Sequence, residues 1–196
     1  MRDLVKLFVV VALFSAIAGG LLAKVKEATA EKIEIQQLTF VKGPTIDHIL
    51  DGCSNNPLED RFKLTDGENS IDFFIGEFDG VRNTVAYETF GKGFSGDIGV
   101  MVAVNLETDE IVGIGLTTHS ETPGVGSKAK SDPAFAQQFT GQTITEPFSV
   151  KADGGSVDAV SGATITSRGV CTAVVDSADI YSRLKDEILK NIQGIG

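Results

Sequence analysis

Asp158-Ala159-Val160-Ser161-Gly162-Ala163-Thr164-Ile165-Thr166-Ser167 joins a small-residue turn to a long amphipathic segment. From about Thr166 to Ile192, the side chains Val170, Val174, Ala178, Tyr181 and Ile188 recur at three- or four-residue spacing, which predicts a helix with one apolar face. Such a face needs a partner layer, and a sheet upstream would supply it. The start of the helix also has chemistry of its own. Unpaired backbone N–H groups and the positive end of the macrodipole gather there, so a phosphate is stabilised without lysine or arginine. Gly162 and Ala163 leave the backbone open to a bulky ligand, and Thr164 places an alcohol beside it, so that phosphate and alcohol could be joined as an ester. Taken alone, the stretch reads more readily as an ordinary helix start with Ser161 as its N-cap.

The upstream chain has the patterning of that sheet. Ile71, Phe73 and Ile75 alternate, Asp79-Gly80 is a hairpin signal, and Val81 to Phe90 follows as a second strand. Ile98 to Leu106 and Ile111 to Thr118 are β-branched apolar runs joined by Glu107-Thr108-Asp109-Glu110, a second antiparallel hairpin. Gly91, Gly93 and Gly96 have dinucleotide-loop spacing, but a strand follows them and no helix, so they read as tight turns. Asp132-Pro133 opens a short helix ending near Gly141, and Phe148 to Lys151 is expected to add a short strand. The fold class is α+β, an antiparallel sheet packed against helices.

The N-terminal part is different. Leu7 to Ala23 is seventeen residues without a charge, and counting from Leu4 with Lys6 snorkelling gives a span long enough to cross a bilayer. Arg2, Lys6 and Ala16-Ile17-Ala18 also suit a cleaved signal peptide, but the apolar run continues past that site, which favours an anchor. Positive charges on the two sides nearly tie, so they do not set the orientation. The expected organisation is an anchor over 1–24, a stalk and connecting region over 25–69, and the folded domain over 70–196. Within the second, Ala23 to Leu38 reads as helix ended by Gly43-Pro44, and Lys42 to Asn69 as a connection holding one short helix.

The formal charge is −10, and setting aside Arg2, Asp3, Lys6 and Lys24, which together carry +2, leaves −12. That balance argues against a nucleic-acid partner. Cys53 and Cys171 are far apart and without metal-ligand spacing, and Asp153, Asp158 and Glu121 define no site, so no metal is assigned. A single disulfide and two separate buried thiols both remain open. No catalytic residue is assigned. His119 reads as a hydrogen-bonded structural residue ahead of a proton relay.

Asp158-x-x-Ser161-Gly162-Ala163-Thr164 resembles the motif on which a flavin transferase esterifies FMN to threonine. His119-x-Glu121-Thr122-Pro123-Gly124-x-Gly126 lies upstream in matching order. With the N-terminal anchor, the two resemble the G subunit of the Rnf ion-translocating electron transport complex and its relative, the C subunit of the sodium-translocating NADH:quinone reductase. The resemblance covers most of the chain from about Gly91 onward, and chain length favours the Rnf protein. It implies covalent FMN on Thr164, with Ser161, Gly162, Ala163, Glu121, Thr122 and Gly124 as further cofactor-binding residues and Asp158 as a transferase recognition residue. It also implies a single-pass membrane protein with its main domain extracytoplasmic. There it would relay electrons among the other membrane subunits of a ferredoxin:NAD oxidoreductase, after maturation by the transferase. The quinone reductase protein and a flavin-binding sensory or docking module are the alternatives.

Overall fold

The computed structural model describes residues 2–67 and 69–194, in two compact units that divide between Phe40 and Val41. The first unit is dominated by α1, Arg2–Gln37, and a π-helical turn, Leu38–Lys42, follows it. Among the described residues, only α1 is long and apolar enough to cross a membrane. Gly43-Pro44 does not end helical structure but begins α2, Gly43–Ile49, where proline fits because its missing N–H is not needed in the first turn.

The second unit is built on five antiparallel strands in simple order: β1 Arg61–Asp66, β2 Asn69–Phe78, β3 Val81–Lys92, β4 Asp97–Asn105 and β5 Ile111–Leu116. The β2–β3 hairpin turns at Asp79 and Gly80, with φ 54° and 78°, the left-handed pair a tight primed turn requires. β1 lies where only a connection and one short helix were expected. Its alternation is short and carries just two apolar residues, Phe62 and Leu64, so it forms because β2 offers an edge; Phe62 stacks on Phe73 at 5.5 Å. Phe148 to Lys151, expected as a strand, gives only a parallel bridge between Val150 and Val157 and a 3-10 turn at Lys151–Asp153.

Two short helices, α3 Lys128–Ser131 and α4 Pro133–Gln137, follow β5, and Asp132 caps α4 by accepting from the Ala134 N–H at 3.0 Å. The second of these was expected from Asp132-Pro133; the first was not. Helix α5, Thr164–Gly194, lies across one face of the sheet. Its Val170, Val174, Ala178, Tyr181 and Ile188 join Phe73, Val85, Tyr87, Val100 and Val102 in one buried cluster. Contact is close at one point, where a Cβ on Gly91 of β3 would stand 1.8 Å from the Gly169 carbonyl oxygen, and one on Gly169 would stand 2.5 Å from that of Lys92. The opposite face, carrying Phe74, Ala86, Met101 and Ala103, is also buried, and α2 with its C-cap contributes Ile46, Ile49 and Leu50. Burial on both faces explains why β4 reads as an unbroken apolar run rather than an alternation.

Candidate functional site

The approach to α5 is a folded loop. Gly162 is left-handed at φ 77°, and the Ala163 N–H donates to the Val160 carbonyl at 2.9 Å. The buried Ser167 hydroxyl accepts from the Val160 N–H and donates to the Ala163 carbonyl, both at 3.0 Å. Ser167 therefore ties the helix start down, whereas Ser161, the expected cap, is exposed and three residues before the first helical residue. Thr164 is that first residue and is half-buried.

A cleft of about 430 Å³ opens against it. Gly162, Ala163 and Thr164 line one wall, Glu121, Thr122 and Gly126 another, and Phe94 comes from the loop after β3. Thus the two motifs, some forty residues apart, meet in one site. Phe94, Val125 and Ile165 on its rim are 70%, 42% and 45% exposed, an apolar surface converging from three segments. Gly124, at φ 72°, shapes the turn without lining the cleft, as the second central residue of a type II turn would. Ser161 and Asp158 line a separate hollow of about 320 Å³.

Glu121 is only 5% exposed. Its Oε1 accepts from the Ser95 N–H at 2.8 Å, and its Oε2 accepts from the Thr166 hydroxyl. Burial pushes the Glu121 carboxyl up, but the Thr166 hydroxyl, the Ser95 and Phe94 backbone donors and the charge of His119 outweigh it and hold the group below the ordinary glutamate value. Gly93 and Gly126 make room for this carboxylate, since a Cβ on either would fall 2.6–2.7 Å from one of its oxygens. Sequence reasoning missed Thr166, Ser167 and the Phe94-Ser95 loop; two hydroxyl residues side by side at the start of a helix were the available signal.

Asp158 faces solvent. Its carboxylate pairs with Lys151 at 2.7 Å, while the Gln138 amide clasps its backbone from both sides, accepting from the N–H at 2.6 Å and donating to the carbonyl at 3.1 Å. Arg168, one turn beyond Thr164, is held by Asp153 through two hydrogen bonds of 2.6 and 2.7 Å. His119 Nδ1 is buried and has no partner among the described residues, so the hydrogen bond expected of a structural histidine is not made at that atom. The described residues contain no group of three or more His, Cys, Asp or Glu placed to hold a metal. Cys53 and Cys171 are both free thiols.

A cleft of this size, with apolar rims, small residues on its wall and a hydroxyl at a helix N-terminus, suits a flat aromatic ligand carrying a phosphate. Residues 93–179 match the model of the FMN-binding domain family, so the folded unit contains an FMN-binding domain. Over 187 residues the chain is 30% identical to the G subunit of the ion-translocating oxidoreductase complex of Cereibacter sphaeroides, covering 90% of this chain and 84% of that protein. It is 29% identical to the corresponding protein of Shewanella oneidensis, over 95% and 93% of the two chains. The chain belongs to this family, the G subunits of ion-translocating oxidoreductase complexes. In fold it resembles the crystal structure of the C subunit of Na(+)-translocating NADH-quinone reductase from Parabacteroides distasonis, with TM-score 0.50 and 27% identity over 60% of this chain and 64% of that one. The structure of Shewanella oneidensis NqrC is similar at TM-score 0.52 and 24% identity, over 70% and 72%.

Proposed function

We propose that Thr164 carries FMN through a phosphoester and that the domain serves as one electron-relay station of an Rnf-type ion-translocating oxidoreductase complex. The observation that carries this reading is the meeting of the Thr164 hydroxyl, at the first position of a long helix, with the Glu121 turn across one apolar-rimmed cleft. The FMN would supply one- and two-electron exchange. The chain's residues hold and shield it: backbone N–H groups at the start of α5 stabilise the phosphodiester, Gly162 and Ala163 admit it, and Phe94, Val125 and Ile165 offer apolar contact to the ring.

Thr164 needs outside help to become modified. A threonine hydroxyl is a weak nucleophile at neutral pH without a base, and the nearby carboxylate of Glu121 is already taken up by Thr166 and Ser95. A separate transferase would therefore have to take the proton from Thr164 Oγ1 as that oxygen displaced AMP from the FAD phosphorus nearest riboflavin. Asp158, exposed on a neighbouring surface, is suited to recognition by that enzyme rather than to catalysis. Helix α1 anchors the chain beside the other membrane subunits, with the folded domain extracytoplasmic.

Co-expression with a flavin transferase, followed by intact mass and in-gel fluorescence, tests the assignment. The wild-type chain should gain one FMN and Thr164→Ala none; an unmodified wild-type chain would overturn it. Redox titration of the assembled complex separates a relay from a sensory module, since normal electron flow with Thr164→Ala would exclude a relay.

A further inference from the structure

The folded unit holds a hollow larger than the Thr164 cleft, of about 520 Å³, on another part of the sheet. It exists because two neighbouring strands part company. The β2–β3 ladder stops at Phe73 and Tyr87, yet β2 continues back to Asn69, paired only with β1, and β3 continues on to Lys92, paired only with β4.

The direction of the backbone groups in this fork follows from the register. Gly99 exchanges hydrogen bonds with the chain at the end of β5, donating to the Thr118 carbonyl at 2.8 Å and accepting from the Thr117 N–H at 2.9 Å. Val100 and Val102 therefore turn toward β3, opposite Thr89 and Tyr87, and the N–H and C=O groups of Glu88 and Phe90 turn toward β2. On β2, the Ile75 N–H donates to the Asp60 carbonyl at 2.9 Å, on the β1 side, so the groups of Ser70 and Asp72 turn toward β3. Four residues thus direct main-chain donors and acceptors into the slot from both sides, and neither the ladder nor a loop supplies a partner among the described residues.

The slot's side chains are apolar and acidic. Ile71 and Ile180 are half-buried in its wall, and Phe90 is 56% exposed at its mouth. Glu88 is neutralised by Lys42 at 2.8 Å. Asp176 is exposed, and Asp72 Oδ1 is buried with no hydrogen bond among the described residues and the Lys63 ammonium 3.6 Å away. We propose that this slot is a docking site for an extended segment of a partner polypeptide, which adds a strand between β2 and β3 and carries lysine or arginine toward Asp72 and Asp176. Two facing strand edges supply main-chain affinity, and the carboxylates supply the charge preference.

The test uses the whole chain in nanodiscs with a short capped peptide of valine and lysine in which lysine occurs on both faces of the strand. Amide exchange at Glu88 and Phe90 should slow about tenfold on binding. A backbone N-methylated peptide should bind about tenfold more weakly, the factor that two lost main-chain hydrogen bonds represent. Asp176→Asn should weaken binding by about threefold and leave FMN loading at Thr164 unchanged. Equal binding of the N-methylated peptide, equal binding of a valine–glutamate peptide, or unslowed exchange at Glu88 and Phe90 would each overturn the proposal. Concentration-dependent protection of those amides without peptide would overturn it in favour of a second copy of this chain.

Discussion

Glu121 and Thr166, forty-five residues apart in sequence, share a hydrogen bond in which the threonine hydroxyl donates to a buried carboxylate. With the Ser95 N–H on its other oxygen, Glu121 ties three segments together: the loop after β3, the turn after β5 and the first turn of α5. Two walls of the cleft are thereby fixed against each other before any ligand enters.

Glu121→Ala should therefore cost stability as well as cofactor retention. It leaves the Thr166 hydroxyl and the Ser95 N–H without their acceptor, each at about 1–3 kcal/mol if water does not replace it. Thr166→Val should destabilise by a similar single increment, while Thr166→Ser keeps the donor and should stay near wild type. Urea unfolding of the apo chain measures all three.

Acid should remove part of this stability. Folding lowers the Glu121 carboxyl below its unfolded value of about 4.3, so the unfolded chain binds more protons between the two values. The contribution is complete above the unfolded value and is lost as pH falls through the folded one. Burial pushes the Asp109 carboxyl up, but the Lys185 ammonium and the Tyr181 hydroxyl together outweigh it and hold the group below the ordinary aspartate value, so it acts in the same direction. The stability gap between wild type and Glu121→Gln should narrow as pH is taken from about 5 to about 3, with a residual acid slope from Asp109 in both. A gap independent of pH would remove Glu121 from the account.

Gly91→Ala and Gly169→Ala should each destabilise by more than about 3 kcal/mol. The new methyl meets backbone oxygen rather than a movable side chain, so α5 must lift from β3. Because Thr164 begins that helix, FMN loading should fall with stability. Thermal unfolding and intact mass on the same samples would test both.

Native alkylation should distinguish the two thiols. Cys171 is buried on α5, and burial pushes its thiol up to about 11, so it should label only after unfolding. Cys53 is partly exposed, and burial with the nearby Asp47 raises it as well, so it should label slowly in the folded chain. Mass spectrometry should find one label under native conditions and two after denaturation, with no dependence on prior reduction.

Much of this molecule is legible in local pattern. The long apolar run of α1, the Asp79-Gly80 hairpin, the apolar strands β4 and β5 and the buried face of α5 all follow from periodicity and turn chemistry, which act over a few residues. The order of the two motifs indicated a flavin site, and Thr164 does line the cleft together with Glu121. β1 was hidden because two apolar residues in a short polar strand specify little until an edge is present to pair with. Ser161 looked like the cap because small hydroxyl residues before a helix usually are, whereas the bonds of Ser167 depend on how the loop folds back.

By itself the sequence determined that α1 and α5 are helices and that β2 to β5 are strands, which faces of them are apolar and where a phosphate could meet an alcohol, since these depend on neighbours along the chain. Only the tertiary structure decided that Glu121 is clasped by Thr166 and Ser95, that Gly91 and Gly169 let two backbones touch, and that β2 and β3 separate beyond Phe73 and Tyr87. Each of those depends on groups distant in sequence, brought within reach by sheet register and by the seating of α5, and neither composition nor periodicity records that distance.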